Sequence, residues 1–419
     1  MNTGTLPRIA PASTPKPHFL DGIAARAVHA RLAGIEHGEL VLHEAGSEYR
    51  YGERTARCSL TATLRIHDAR FYSDMAFGGS IGAGEAYMQG WWSVDDLTAL
   101  VRILICNRSV LDGMEGGLAR LTGPLQKALH WFNRNTREGS RRNIAAHYDL
   151  GNDFFRLFLD PTMMYSSAIF ESAGMTLEEA QLARLERICR ALELQSSDHL
   201  LEIGTGWGGM AMHAARHYGC RVTSATISRE QFDLARERIE QAGLSDRITV
   251  LLEDYRDLTG SYDKLVSIEM VEAVGHQFYD DYFGQCGRLL NDDGLMLLQA
   301  ITIADQRYEQ ARRSVDFIQR YIFPGSTIPS VTAMLDSVTR SSDMRLVSLL
   351  DIGPHYATTL RLWRENFHRE RDAVRALGYP ESFLRMWEFY LCYCEGGFEE
   401  RVISDAQLLF AKPGNRSPR

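Results

Sequence analysis

The chain has 419 residues, enough for one large domain or two ordinary ones. Its hydrophobic content of 45% and charged content of 24% are those of a globular protein with a buried core. The net charge of −8 excludes a bulk electrostatic attraction to nucleic acid, and no apolar run approaches the roughly 20 residues of a membrane-spanning helix. The 7 cysteines are scattered without metal-site spacing, which favours a reducing cytoplasm and predicts no metal site.

The N-terminal part of the chain predicts a leader and a small domain. Residues 1–17 are rich in Pro, Thr and Ala and predict a disordered leader. Residues 18–118 contain the alternating segments ELVLHE and TATLRIHD and the helical segment DDLTALVRILIC, which together predict an α+β domain. We interpret the glycine-rich segment at 77–92 as turns between these elements.

Residues 119–144 predict a basic connector. This segment contains a single acidic residue, Glu138. Its basic residues are Arg120, Lys127, Arg134, Arg137, Arg141 and Arg142. Trp131 and Phe132 lie among them, and basic and aromatic residues together are typical of the headgroup level of a membrane. We therefore expect peripheral binding to a phospholipid membrane surface, at the cytoplasmic face of the inner membrane. The alternative is a solvated linker between domains.

Residues 145–413 alternate between strand and helix patterns and predict one α/β domain, followed by a disordered tail at 414–419. A capping box of Thr176 and Glu179 opens its first long helix. The predicted strands are HLLEIG, RVTSATIS, ITVLLEDY, DKLVSIEM and GLMLLQAITI. Ligands of such parallel sheets bind beyond the carboxyl ends of the strands, where Gly204, Ser228, Asp254, Glu272 and Gln299 are predicted to lie. The helical insertion QRYEQARRSVDFIQRYIFPGSTIPS then predicts a lid or substrate channel.

The segment LLEIGTGWGG at 200–209 predicts a ligand loop. Glu202 ends a strand, and Gly204, Gly206 and Gly208 let the backbone approach a ligand closely. No Gly-Lys-Ser/Thr follows, and the glycine spacing is one residue too short for a dinucleotide fingerprint. The pattern suits a nucleoside that carries a charged amino acid, such as S-adenosylmethionine. A glycine-rich turn without a ligand is the alternative.

From about residue 65 to 412 the chain resembles the cyclopropane-fatty-acyl-phospholipid synthases and their mycolic-acid relatives. The most specific segments are HYDLGNDFF and YIFPG, together with MMYSSAIF, TISREQ, SIEMVEAVG and FYLCYCEGGF. The resemblance implies a class I methyltransferase, Rossmann-like fold with a helical lid insertion. Its seven-stranded sheet would have a last antiparallel pair containing AQLLFAK. It also implies a homodimer formed through the small domain.

The resemblance implies a cofactor site for S-adenosylmethionine. Tyr165 and Ser166 would contact its methionine end, and the loop from Gly204 to Gly208, after Glu202, would contact its backbone and ribose. The adenosine end would contact Thr226, Gln231, Asp254 and Tyr255.

The implied reaction moves a methylene unit from S-adenosylmethionine to a cis double bond of a phospholipid acyl chain. In the family, a bound bicarbonate ion removes the proton, held by a glutamate, a histidine, a tyrosine and backbone amides. Glu272 and Tyr356 match the glutamate and the tyrosine, Cys394 matches a late cysteine, and Tyr321 is an aromatic candidate for stabilising a carbocation. Gln299 stands where the family has histidine, and Ser167 where it has cysteine.

These departures leave the product open. A weaker base would give a methyl or methylene branch instead of a ring, since glutamine cannot shuttle a proton. Methylation of a soluble molecule and lipid binding without turnover also stay open as functions.

Overall fold

The computed structural model describes residues 19–116, Gly139 and residues 150–416. The predicted leader, the domain boundary at 118 and almost the whole predicted connector lie outside these residues. The chain forms two compact units, Met1–Gln126 with Gly378–Gly396, and Lys127–Leu377 with Gly397–Arg419. The sequence-based interpretation places Gly378–Gly396 in the C-terminal domain, whereas in the structure this segment belongs to the first unit.

The first unit is the expected α+β structure. Its elements are α1 Phe19–Leu32, β1 Glu39–Glu44, β2 Ser47–Tyr51, β3 Thr61–Ile66, α2 Arg70–Met88, β4 Trp92–Val94, α3 Leu97–Cys106 and α4 Arg108–Gly116. The sheet order is β2-β1-β3-β4, with β1 parallel to β3 and the other pairs antiparallel. The side chain of Asp96 caps α3 by accepting from the Ala99 amide at 2.8 Å.

The glycine-rich segment is helical, so its interpretation as turns is wrong. Residues up to Met88 belong to α2, which is kinked at Gly79 with φ of 58°. A Cβ atom on Gly82 would lie 1.9 Å from the carbonyl oxygen of Asp74. Only a glycine permits this approach between the two arms of the kinked helix, so here the glycines serve packing and not chain reversal.

The second unit contains the predicted α/β domain. Its helices are α5 Asn152–Arg156, α6 Leu177–Ala191, α7 Gly209–Tyr218, α8 Arg229–Gln241, α9 Tyr279–Leu289, α10 Asp305–Ala311, α11 Phe317–Tyr321, α12 Val331–Ser341, α13 Gly353–Arg369 and α14 Arg371–Ala376. Helix α15, Glu381–Glu399, lies mostly in the first unit. The strands are β5 His199–Ile203, β6 Arg221–Thr226, β7 Ile248–Leu252, β8 Tyr262–Ile268, β9 Leu290–Ile303, β10 Arg345–Asp351 and β11 Ile403–Ala411. The described residues of this unit also form 3-10 turns at Tyr255–Asp257, Val271–Ala273 and His276–Phe278.

The seven strands form one sheet in the order β10-β11-β9-β8-β5-β6-β7. Strand β11 pairs antiparallel with both β9 and β10, which confirms the place predicted for AQLLFAK. The remaining pairs are parallel. The capping box of Thr176 and Glu179 at α6 is also confirmed.

Helices cover both faces of this sheet, which explains why its strands are apolar without alternation. On one face, Leu201, Leu265 and Met296 pack with Phe283 of α9, and on the other, Leu200 packs with residues of α7. The loops after β5, β6, β7 and β8 therefore emerge at one edge. The predicted helical insertion follows β9 as α10 and α11. Within the described ranges, no helix combines the length and apolarity needed to cross a bilayer.

Candidate active site

The loop after β5 has the backbone of a ligand cradle. Gly204, Gly206 and Gly208 have φ of 101°, 51° and 83°, in the left-handed region that favours glycine. A Cβ atom on Gly206 would meet no atom within 4 Å, whereas one on Gly204 would lie 3.3 Å from the Met270 side chain. The loop therefore faces open space on one side and the end of β8 on the other. This arrangement fits a cofactor held by backbone.

Glu202 is buried within β5, immediately before this loop. Its side chain is 2% exposed and accepts a hydrogen bond from the Ser224 hydroxyl. Burial raises the pKa of Glu202 to about 8, against the opposing effects of Ser224 and Arg184. Near neutral pH the group is therefore mostly protonated.

The end of β6 positions a buried glutamine. The Thr226 hydroxyl donates to Gln231 Oε1 at 2.8 Å, and the Ser228 side chain caps α8 by accepting from the Gln231 amide at 3.3 Å. Because the carbonyl oxygen of the Gln231 side chain is engaged, its amide nitrogen is the end suited to a ribose hydroxyl. The structure thus brings together two of the four residues predicted for the adenosine end.

The end of β7 carries the other two predicted adenosine residues. The Asp254 carboxylate accepts from Arg256 Nε at 2.7 Å and Nη2 at 2.6 Å, so it is part of a buried ion pair. The Tyr255 ring packs edge-on against Tyr282 with centroids 5.3 Å apart. Asp254 is therefore engaged by the protein, and Tyr255 forms an aromatic wall.

Tyr165 and Ser166 border an aromatic cluster. The Tyr165 ring lies 5.3 Å from that of Phe155, 5.2 Å from Trp363 and 6.3 Å from Phe323, between centroids. Ser166 is buried, and among the described residues its hydroxyl has no hydrogen-bond partner. An unpartnered buried hydroxyl needs a polar partner, which fits the methionine end of a cofactor.

A glutamate that the sequence analysis does not single out collects the predicted catalytic groups. Glu269 directly follows β8, and its Oε1 atom accepts from the Ser167 amide and from Gln299 Nε2, both at 2.8 Å. The hydroxyl of Tyr356, in α13, donates to Oε2 of the same carboxylate at 2.7 Å. The sequence feature that could have identified Glu269 is its place directly after strand β8. Asp254 is singled out by a similar place shortly after β7.

Glu272 lies one 3-10 turn after Glu269. Its Oε1 atom accepts from the Ile301 amide, while its Oε2 atom is buried and has no hydrogen-bond partner among the described residues. Burial, assisted by the charge of Glu269, raises the pKa of Glu272 to about 8. Glu272 is thus mostly neutral at pH 7 and adds little negative charge beside Glu269.

Gln299 lies within β9 and not at its end, because β9 continues to Ile303 in its pairing with β11. Its Nε2 atom donates to Glu269 and also to Asp405 Oδ2, at 2.9 Å, and its Oε1 atom accepts from Gln407 at 3.1 Å. Burial and the nearby Glu269 charge raise the pKa of Asp405 well above its usual range. In the part of the chain that the structure describes, these carboxyl groups do not form a cluster suited to a metal ion.

Two further predicted catalytic residues lie on the helices α11 and α15. Tyr321 is in α11 of the insertion, with its ring 5.1 Å from that of Phe317 and 5.4 Å from the Arg320 guanidinium. Cys394 is in α15, within the segment that belongs to the first unit. The roles of both residues stay predictions.

The residues present do not fit a free bicarbonate ion. The Ser167 amide, Gln299 and Tyr356, which the resemblance assigns to that ion, all donate to the Glu269 carboxylate instead. The Ile301 amide donates to Glu272. A second anion at this point would compete for the same donors and be repelled by Glu269.

Comparison with known proteins identifies relatives over most of the chain. A family model described as mycolic acid cyclopropane synthetase matches residues 135–408. The tuberculostearic acid methyltransferase UfaA1 of Mycobacterium tuberculosis is 40% identical over 354 residues, 80% of each chain. The cyclopropane-fatty-acyl-phospholipid synthase of Escherichia coli K12 is 36% identical over 364 residues, 84% of this chain and 89% of that one.

Solved structures agree with these relationships. The crystal structure of mycolic acid cyclopropane synthase CmaA1, complexed with SAH and CTAB, superposes with a TM-score of 0.61. It is 33% identical and covers 65% of this chain and 98% of its own. The predicted fold, an α/β methyltransferase with a seven-stranded sheet, is thereby confirmed.

Proposed function

Since the chain belongs to the mycolic acid cyclopropane synthetase family, we propose that it transfers a one-carbon unit from S-adenosylmethionine to a cis double bond of a phospholipid acyl chain and closes a cyclopropane ring. The observation that carries this proposal is the half-buried carboxylate of Glu269, which precedes Met270, whose side chain adjoins the Gly204 loop. A group able to take a proton thus lies beside the proposed cofactor site.

The other features of the site suit an alkene acceptor. An alkene needs no base before it reacts, but it must be aligned and kept from water. The Gly204–Gly208 loop, Ser166, Thr226 and Gln231 would hold S-adenosylmethionine, which would supply an electrophilic methyl group. The rings of Tyr165, Trp363 and Tyr356, packed with centroids 5.2 and 6.1 Å apart, provide electron-rich faces for a developing cation.

One specific observation supports a second candidate product. Gln299 takes the place of a histidine, and its amide cannot accept and release a proton. The similarity to a tuberculostearic acid methyltransferase points in the same direction. The second candidate is therefore the same transfer ending in a methyl- or methylene-branched acyl chain.

Product structure tests the two candidates. The purified protein is incubated with S-adenosylmethionine and vesicles of a mono-unsaturated phospholipid, and the extracted lipid is analysed by proton NMR. High-field cyclopropyl protons support the ring, whereas vinylidene protons, or a methyl doublet beside a double bond that is kept, support the branch. Release of S-adenosylhomocysteine with soluble acceptors but not with vesicles would contradict both.

Peripheral membrane binding and homodimer formation belong to the same proposal. They are supported by the basic and aromatic composition of residues 119–144 and by the family resemblance. Sedimentation with anionic and neutral vesicles tests membrane binding. The vesicles should match the lipids of the proposed location, the cytoplasmic face of the inner membrane. Light scattering tests the second, and a monomer at micromolar concentration would contradict it.

A further inference from the structure

Glu269 is held in a backbone conformation that a glutamate rarely adopts. Its φ is 49°, and its amide donates to the Gln299 carbonyl at 2.7 Å. A non-glycine residue in this left-handed region carries a cost in backbone strain. Glycine would relieve that cost, so the carboxylate is retained at the expense of local stability.

The surroundings of this carboxylate are those of a built anion site. Three donors reach it: a backbone amide, an amide nitrogen and a tyrosine hydroxyl. An ionised carboxylate offers about four lone-pair positions; the three donors take three of them, and the side chain of Asp405 also approaches this carboxylate. Arg184, fully buried, supplies a nearby positive charge that interacts with Glu269.

We propose that the Glu269 carboxylate is the catalytic base of this enzyme and takes the place of a bound bicarbonate ion. The inference rests on the proposed function, and it assigns to the chain itself the anion that the family resemblance assigns to solution. The raised pKa values of two neighbouring carboxyl groups, about 8 for Glu272 and well above the usual range for Asp405, support this geometry, because both neighbours then add less negative charge beside Glu269.

Position favours this role. Ser167, whose amide holds Glu269, follows Ser166, the residue predicted at the methionine end of the cofactor. Met270, which follows Glu269, adjoins Gly204. The Ser267 hydroxyl further ties the end of β8 to the end of β5 by donating to the Ile203 carbonyl at 2.9 Å. Glu269 is therefore linked to two segments of the proposed cofactor site: it contacts the residue after Ser166, and the residue after it adjoins Gly204.

The step balances without another reactant. A carbon–carbon bond forms between one alkene carbon and the donor methyl group while the donor carbon–sulfur bond breaks, leaving a neutral thioether and a positive charge on the second alkene carbon. Glu269 then takes a proton from the new methyl group. The freed electron pair closes the ring onto the cationic carbon, and the proton passes from Glu269 to solvent after product release.

Turnover in buffer freed of carbon dioxide tests whether Glu269 is the base. The variants are Glu269→Gln and Glu269→Gly, and the controls are wild type and the exposed α6 variant Glu178→Gln. We expect wild type and Glu178→Gln to turn over equally with and without added bicarbonate. Glu269→Gln should lose about 100-fold or more, the usual contribution of a positioned base. Glu269→Gly should be inactive without bicarbonate and regain activity when bicarbonate is added.

A binding measurement separates this inference from the proposed function. Titration with 13C-labelled bicarbonate, followed by NMR, should show no saturable binding to wild type and saturable binding to Glu269→Gly. Saturable binding to wild type, loss of wild-type turnover without bicarbonate, or an active Glu269→Gln would each overturn the inference. If wild type modifies no lipid, the proposed function fails, while the titration still decides whether Glu269 fills the anion position. If Glu269→Gly does not fold, wild type and Glu269→Gln decide it.

Discussion

At the scale of single residues, the candidate active site contains carboxyl groups in different environments. Glu269 receives three hydrogen bonds, whereas Glu272 is buried with one oxygen unpartnered among the described residues. Burial favours the neutral form of an acid, which raises the pKa of Glu272 to about 8. The two glutamates are therefore suited to different roles despite lying three residues apart.

Glu272 should act in its neutral form. We expect Glu272→Ala to lose turnover by about 100-fold while cofactor affinity stays nearly unchanged, since its carboxyl group contacts the Ile301 amide beside Glu269. Glu272→Gln, a neutral isostere, should keep most of the activity near pH 7. Because the pKa of Glu272 is raised to about 8, wild-type turnover should fall above that pH and that of Glu272→Gln should fall less.

Comparison of the two pH profiles is the decisive measurement for Glu272. Other groups, including Glu202 with its pKa of about 8, titrate in both wild type and Glu272→Gln. Their effects on turnover therefore cancel in the ratio of the two rates. Identical profiles, or loss of S-adenosylhomocysteine binding by titration calorimetry in Glu272→Ala, would contradict the role.

Glu202 should make stability depend on pH. Its folded-state pKa of about 8 exceeds its ordinary value of 4.5, so the folded state binds more protons between these values. Its contribution to the free energy of unfolding is fully present below about pH 4.5 and is lost as the pH rises to about 8. From about pH 5 to about pH 7, wild type should lose up to about 3 kcal/mol relative to Glu202→Gln.

Urea unfolding of both proteins at the two pH values measures the Glu202 effect. The exposed variant Glu178→Gln serves as the control and should track wild type. A difference between wild type and Glu202→Gln that does not change with pH would show that Glu202 is ionised when folded.

At the scale of secondary-structure elements, the sequence predicts the strands that are buried on both faces and misses elements with other patterns. β10 escapes because most of its residues are exposed at the sheet edge, so no apolar run marks it. α2 escapes because its glycines indicate turns, although in the structure they permit close packing. Glu269 escapes because its role depends on Ser167, Gln299 and Tyr356, which only the fold brings together.

The loop after β5 can be tested with a matched pair of glycines. Gly206 and Gly243 have φ of 51° and 66°, and a Cβ atom on either would meet nothing within 4 Å. Gly206→Ala and Gly243→Ala should each cost about 1 kcal/mol of stability, since both place alanine in the left-handed region. Only Gly206→Ala should weaken S-adenosylhomocysteine binding, by about tenfold, because its methyl group enters the proposed cofactor cradle.

Calorimetric titration and thermal unfolding of the two glycine variants give both quantities. Equal affinities for the two variants would mean that the cofactor does not contact the Gly206 backbone.

At the scale of the whole molecule, the first unit is completed by a segment from the far end of the chain. Helix α15 supplies Phe389, whose ring centroid lies 5.9 Å from that of Tyr87. A Cβ atom on Gly396 would lie 2.6 Å from a methyl group of Val101, so α15 and α3 touch closely. The segment Gly378–Gly396 thus packs with the first unit, although it lies within the range 145–413 that the sequence predicts as one domain.

This interleaving predicts the effect of two N-terminal truncations. Removing residues 1–126 takes away the partners of α15 and exposes apolar side chains, each worth about 1.5–3 kcal/mol when buried. We expect little soluble protein and a melting temperature lowered by ten degrees or more, on the order of the effect of several such side chains. Removing residues 1–17, the predicted leader, should change neither yield nor melting temperature. A soluble 127–419 fragment that melts like the full chain would mean that α15 is stable without the first unit, and the domain boundary predicted from the sequence would then stand.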